Sequence, residues 1–75
     1  MNIKTEIIAA LKKATKIKIT ENTKISELGI DSLDLMDLIM EAEGKIGSEL
    51  SDDVITSLKE KTVKDIIEEF EKIAK

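Results

Sequence analysis

The chain has 75 residues, a formal net charge of -4 from 12 lysines and 16 acids, and neither cysteine nor histidine. Disulfides and cysteine metal sites are thereby excluded, along with the commonest metal ligand and the usual general base near neutral pH. The length predicts one small domain, residues 1–75, with a modest core and a folding free energy on the order of 5 kcal/mol.

Ile3, Ile7, Ile8, Leu11 and Ala14 recur at helical spacing and predict a first helix over about residues 3–15. Lys12, Lys13 and Lys16 stand near its C-terminal end, where cations suit the helix dipole. Residues 17–30 alternate too loosely for a firm strand, so Ile17, Ile19, Ile25 and Leu28 are expected to pin a long loop onto the core. A strand over Lys16–Thr20 competes with that reading but has no evident partner strand.

Asp31 opens the second helix as its cap, with Asp34 three residues on, as in a capping box. Leu35, Leu38, Ile39 and Ala42 form its buried face, Gly44 is its expected stop, and Ile46 follows beyond it. Ser51-Asp52-Asp53 reads as the cap and first turn of a short third helix that buries Val54, Ile55 and Leu58. Thr62-Val63-Lys64-Asp65 is a capping box for a last helix with the stripe Val63, Ile66, Ile67, Phe70, Ile73 and Ala74. Three longer helices and one short one, each apolar on one side, must bury their stripes together. The fold class is all-α, a small four-helix bundle.

Charge is unevenly spread. Residues 1–24 carry six lysines and two acids, residues 25–53 one lysine and nine acids, and residues 54–75 five of each. The acidic middle repels nucleic acid and anionic membrane and attracts basic protein surfaces. Arginine is absent and one phenylalanine is the sole aromatic, so phosphate forks and base stacking lack their usual residues. No apolar run approaches membrane-spanning length, and Met1-Asn2-Ile3-Lys4-Thr5-Glu6 does not read as a secretory signal. A cytoplasmic monomer without nucleic-acid partners or stable membrane insertion is expected.

Ser32 falls beside the start of helix two, near unpaired backbone N–H groups and the positive end of the dipole, a favourable place for a phosphate. From position alone it also reads as an ordinary helix-capping serine. No histidine activates it, and lysine is absent from residues 25–44, so a partner enzyme would have to supply a base. On a helical wheel Asp34, Asp37 and Glu41 make an acidic stripe. Met36, Met40 and Leu33 lie away from the core centre. That combination suits steering by charge around an adaptable apolar contact, although a solvated acidic face and broad core packing are the plainer alternatives. Asp31, Asp34 and Asp37 do not have calcium-loop spacing and lack the environment for acid catalysis at neutral pH. The chain is therefore read as no enzyme, with no metal site.

The run Leu28-Gly29-Ile30-Asp31-Ser32-Leu33-Asp34, continued by Leu35-Met36-Asp37-Leu38-Ile39-Met40, resembles the acyl carrier proteins of dissociated fatty acid synthesis. The resemblance spans the chain in length, helix order and charge, and is strongest over residues 25–50. It implies a four-helix bundle bearing a 4'-phosphopantetheine arm on Ser32, placed there from coenzyme A by a holo-acyl-carrier-protein synthase. Acyl chains of fatty acid biosynthesis would ride on the arm's thiol as thioesters. It further implies that Asp31, Asp34, Asp37, Glu41 and Glu43 meet basic patches on synthesis enzymes and acyltransferases, with Leu33, Met36 and Met40 as apolar contacts. Leu38, Ile39, Ile46, Leu50, Leu58, Val63 and Ile67 are the acyl-pocket candidates it suggests.

The chain departs from the family pattern in having Ile46 where an aromatic is common, Leu50-Ser51 where an isoleucine-proline pair is common, and about two extra residues between Leu50 and Val63. Its first third is also more basic. A D-alanyl, peptidyl or polyketide carrier would use the same arm on Ser32, and the strongly acidic second helix favours the fatty acyl version. A protein-interaction module with no prosthetic group would keep the helices and need no serine.

Overall fold

A computed structural model describes residues 2–74. Helix α1 spans Ile3–Ala14, α2 Ser32–Ile46, α3 Asp52–Thr56 and α4 Val63–Ile73, with short 3₁₀ turns at Ile25–Leu28 and Leu58–Glu60. The α1–α2 and α1–α4 pairs bring the apolar stripes of the long helices together. Among the described residues no strand forms, and the expected helical bundle is what the chain adopts. No described helix is long and apolar enough to cross a membrane.

Each helix begins on the side chain its sequence offers. Asn2 accepts the Thr5 N–H at 3.1 Å, Asp31 the Asp34 N–H at 2.8 Å, and Ser51 the Val54 N–H at 3.4 Å. At α4 the box is reciprocal: Thr62 Oγ1 accepts the Asp65 N–H at 3.2 Å, and Asp65 Oδ2 accepts the Thr62 N–H at 3.3 Å. At α2 the expected box is only half made, since no hydrogen bond returns from the Asp34 side chain to Asp31 among the described residues.

The core gathers Ile7, Ala10 and Leu11 of α1, Leu35, Leu38, Ile39 and Ala42 of α2, and Val63, Ile66, Ile67 and Phe70 of α4. Ile25, Leu28, Ile30, Leu50 and Leu58 from the connections complete it. Phe70, Ile25, Leu28, Leu58, Ile66 and Val63 are sealed from solvent, and each such side chain contributes about 1.5–3 kcal/mol of burial. Ala14 and Ile17 lie outside this core: Ala14 is exposed at the last turn of α1, and Ile17 is 51 % exposed. Val54 and Ile55 are half-buried, so α3 itself buries no residue fully, and Leu58 is buried from the 3₁₀ turn that follows.

The long connection over residues 15–30 folds without a strand. Thr15 Oγ1 donates to the Leu28 carbonyl at 2.8 Å, tying the end of α1 to the first 3₁₀ turn. A single antiparallel bridge joins Lys24 to Thr62, with Ile25 N–H to Lys61 O at 3.0 Å and Val63 N–H to Thr23 O at 2.9 Å on either side. Lys16–Thr20 itself stays unpaired, and the strand considered there does not form; the loop's one bridge is made later, at Lys24.

Helix α2 does not stop at Gly44. It continues through Ile46 and ends at Gly47, whose φ of +82° places it in the left-handed region and whose N–H bonds the Glu43 carbonyl at 2.8 Å. Ile46 is therefore a half-buried residue of the helix itself. Gly44 is an interior helical residue with open space where a Cβ would stand. The two glycines should thus respond to alanine with opposite signs. In chemical denaturation Gly44→Ala should raise stability by roughly 0.5–1 kcal/mol, whereas Gly47→Ala should lower it by about 1 kcal/mol or more.

Candidate functional site

Ser32 is the first residue of α2, immediately after its cap, and is solvent-exposed. Leu28 and Ile30 are buried on either side of Gly29, which takes φ +70°, so the turn into the helix is anchored from below while Asp31, Ser32 and Leu33 face outward. The Asp34 N–H is capped by Asp31 and the Leu35 N–H bonds the Asp31 carbonyl at 2.9 Å. The N–H groups of Ser32 and Leu33 have no acceptor within the helix, as geometry requires at a helix start.

Beside Ser32 lies a cleft of about 400 Å³. Its apolar wall is Leu35, Met36, Ile55 and Leu58, and its polar rim is Ser32, Thr56, Lys59 and Glu60. Ser32, Leu35 and Met36 share it because residues three and four apart lie on one helix face. The opposite wall comes from α3 and the second 3₁₀ turn. Of the acyl-pocket candidates, only Leu58 lines this cleft. Leu38, Ile39, Leu50, Val63 and Ile67 are buried in the core, and Ile46 packs against it. Ile55, Thr56, Lys59 and Glu60 were not legible as site residues, because no local spacing reports which loop will face the start of α2.

The expected recognition residues divide by what already engages them. Leu33 is 79 % and Met40 62 % exposed, Asp31, Asp34 and Asp37 are exposed, and Met36 is half-buried at the cleft edge. Leu33, Met36, Asp37 and Met40 form one stripe along α2 by their spacing. Asp31 and Glu43 carry structural duties. Glu43 Oε2 accepts the Leu50 N–H at 2.8 Å and closes the loop after α2. Glu41 is paired with Lys13 at 3.2 Å and lies 3.7 Å from Lys45, which also reaches Glu6 at 3.5 Å. The lysine-rich first third thus neutralises one flank of α2 and leaves the Asp34–Asp37 flank free.

No histidine, cysteine or buried charged side chain stands in this site, and no described group of acids is arranged to hold a metal. An accessible hydroxyl next to an apolar-walled cleft fits 4'-phosphopantetheine, a phosphodiester followed by a dimethyl carbon, two amides and a thiol. The geometry suits a carrier class, in which a helical scaffold presents an attached group whose chemistry the chain itself lacks.

Residues 5–70 match the family model described as phosphopantetheine attachment site. The chain is 46 % identical over 67 residues to the acyl carrier protein homolog of Mycoplasmopsis pulmonis, covering 89 % of each protein. It is 40 % identical over 78 aligned positions to the acyl carrier protein homolog of Ureaplasma parvum, covering all of this chain and 97 % of that one. It is 39 % identical over 51 residues to the acyl carrier protein of Coprothermobacter proteolyticus, covering 68 % of this chain and 60 % of that one. No solved structure gives a significant match. The chain belongs to the acyl carrier protein family, and its cofactor is 4'-phosphopantetheine.

The Lys13 contact has a titration consequence. The hydrogen bond from Lys13, then its charge, holds the Glu41 carboxyl below the ordinary glutamate value, with Lys45 adding to it. A carboxyl depressed in the folded state stabilises fully above its unfolded value, and that contribution is lost as pH falls through the folded midpoint. In a side-chain NMR titration Lys13→Gln should move the Glu41 midpoint upward and remove this share of the acid-side stability loss.

Proposed function

We propose that Ser32 carries the phosphopantetheine arm and that the chain, as one carrier domain over residues 1–75, shuttles acyl intermediates of fatty acid biosynthesis between enzymes. The observation that carries this reading is the exposed Ser32 at the start of α2, open to a transferase and bordered by the apolar-walled cleft. When bound, the arm supplies the thiol on which acyl groups are held. The residues of this chain do the rest. Ser32 offers its oxygen to the diphosphate of coenzyme A, where a new O–P bond replaces the phosphoanhydride bond and adenosine 3',5'-bisphosphate leaves, and it gives up its proton to a base on the transferase, since none stands on this chain. Leu35, Met36, Ile55 and Leu58 give apolar surface against which the arm and the first carbons of cargo can rest. Catalysis belongs to the partners.

Partner recognition in this reading falls to Leu33, Asp34, Met36, Asp37 and Met40. The two exposed apolar side chains supply the contact centre, and Asp34 and Asp37 steer basic surfaces toward it. Glu41 and Glu43 are left out of this set because Lys13 and the Leu50 N–H already engage them. The free acids beside an apolar contact favour fatty acyl enzymes with basic patches over the other carrier types.

Incubation with coenzyme A, magnesium and a holo-carrier synthase should add about 340 Da to the intact mass, and Ser32→Ala should abolish the gain. Unmodified wild-type protein after treatment with several competent transferases would overturn the assignment. For docking, Asp34→Asn with Asp37→Asn should slow association with the synthase several-fold at low salt, the gap closing at high salt. Leu33→Ala should instead act on dissociation.

A further inference from the structure

The cleft beside Ser32 has one cation on its rim, Lys59, and it stands in an acidic neighbourhood. Asp31 and Asp34 flank Ser32 along the chain, and Glu60 shares the rim with Lys59. A phosphodiester on Ser32 adds a further negative charge to this group. The start of α2 offers limited compensation, because Asp31 and Asp34 already place two carboxylates at the positive end of its dipole.

The other lysines near α2 are engaged. Lys13 pairs with Glu41, and Lys45 with Glu6 and Glu41. Lys59 has no carboxylate within ion-pair distance among the described residues. It belongs to the 3₁₀ turn Leu58–Glu60, which is fixed at one end by the sealed Leu58 and at the other by the Lys61 N–H bond to the Leu58 carbonyl at 3.1 Å. The ammonium is therefore unpaired while its backbone is held, and among the lysines it alone lines the cleft beside Ser32.

We propose that Lys59 is a positioning residue for the arm: its ammonium is the counter-cation of the phosphodiester on Ser32, and Glu60 on the same rim opposes it. The pair sets how closely the arm lies along the wall made by Ile55 and Leu58. A partner's basic patch would then compete with Lys59 for the same phosphodiester, so docking itself would free the arm to leave the cleft. This inference rests on Ser32 being the attachment site.

The test uses full-length protein converted to the holo form, with intact mass confirming the arm before anything else is read. Amide NMR shifts are compared between apo and holo protein, together with the ³¹P shift of the phosphodiester. In the wild type, conversion should move amides in residues 55–60 as well as those near Ser32. Lys59→Gln should at least halve the changes over residues 55–60 and shift the ³¹P signal, Lys59→Arg should restore both, and Glu60→Gln should enlarge the changes. Lys64→Gln, a charge loss on exposed α4 surface, should leave them as in the wild type. Apo spectra that retain their dispersion show that each variant folds.

Loaded protein whose shift changes stay within the first turns of α2, or identical behaviour of Lys59→Gln, Lys59→Arg and wild type, would overturn the role of Lys59 and leave the carrier reading standing. Absence of any mass gain would remove both.

Discussion

The backbone clasp between residues 21–25 and 61–64 is the constraint on which the site depends. Helix α4 starts with amide donors that need acceptors. The Val63 N–H bonds the Thr23 carbonyl and the Lys64 N–H the Glu21 carbonyl, both at 2.9 Å, while Thr62 Oγ1 takes the Asp65 N–H. The irregular connection thereby serves as the cap of a helix that lies far away in sequence. In return, Ile25 N–H to Lys61 O holds the first 3₁₀ turn against the second. Ile25 and Leu28 from one turn and Leu58 from the other are sealed in the core at this junction. The chain after the first turn leads through Gly29 to Ser32, and the second turn carries the far wall of the cleft. Both sides of the site are thus hung from one set of hydrogen bonds and one apolar junction.

The contrast between the two helix starts is instructive. At α4 the first three N–H groups all find acceptors. At α2 the cap serves the Asp34 N–H, and Ser32 and Leu33, whose N–H groups have no acceptor within the helix, are exposed. Closing a helix start with backbone and capping groups stabilises the fold but leaves no room for anything attached there. Leaving it open costs some stability at an exposed position, where water can satisfy the amides, and keeps the serine reachable. The same division governs charge. Lysines of the first third pair with Glu21 and Glu41, while Asp34 and Asp37 of α2 are left facing solvent.

Local chemistry was legible in the sequence where the deciding partner lies three or four residues away. The caps at Asp31, Ser51 and Thr62 and the stripe of α4 are of this kind. The end of α2 is not decided by local chemistry, because Gly44 and Gly47 both suit a helix stop. The choice falls to Gly47 because continuing the helix brings Ile46 onto the core and leaves Gly47, not Gly44, to take the left-handed turn. The stretch after Ser51 read as one short helix, yet it is a helix and a 3₁₀ turn parted at Ser57. The Ser57 hydroxyl bonds back to the Asp53 carbonyl at 3.0 Å and competes with helix continuation. The cleft was the least legible feature. Its far wall depends on the clasp, and no periodicity in residues 52–60 indicates that they will face Ser32.

Helix α2 can then be understood as three angular sectors with separate duties. Leu35, Leu38, Ile39 and Ala42 hold it to the core, Ser32 and Met36 face the cleft, and Leu33, Asp34, Asp37 and Met40 face outward. Only Leu35 serves two sectors, as core residue and cleft wall. A change on the outward sector touches no buried contact, so its effect on stability should be small. A change in the core sector draws on a reserve of only a few kcal/mol in a chain this short. In the proposed function this separation has a physical advantage. A surface offered to partners can vary while the Ser32 hydroxyl stays fixed by the junction beneath it.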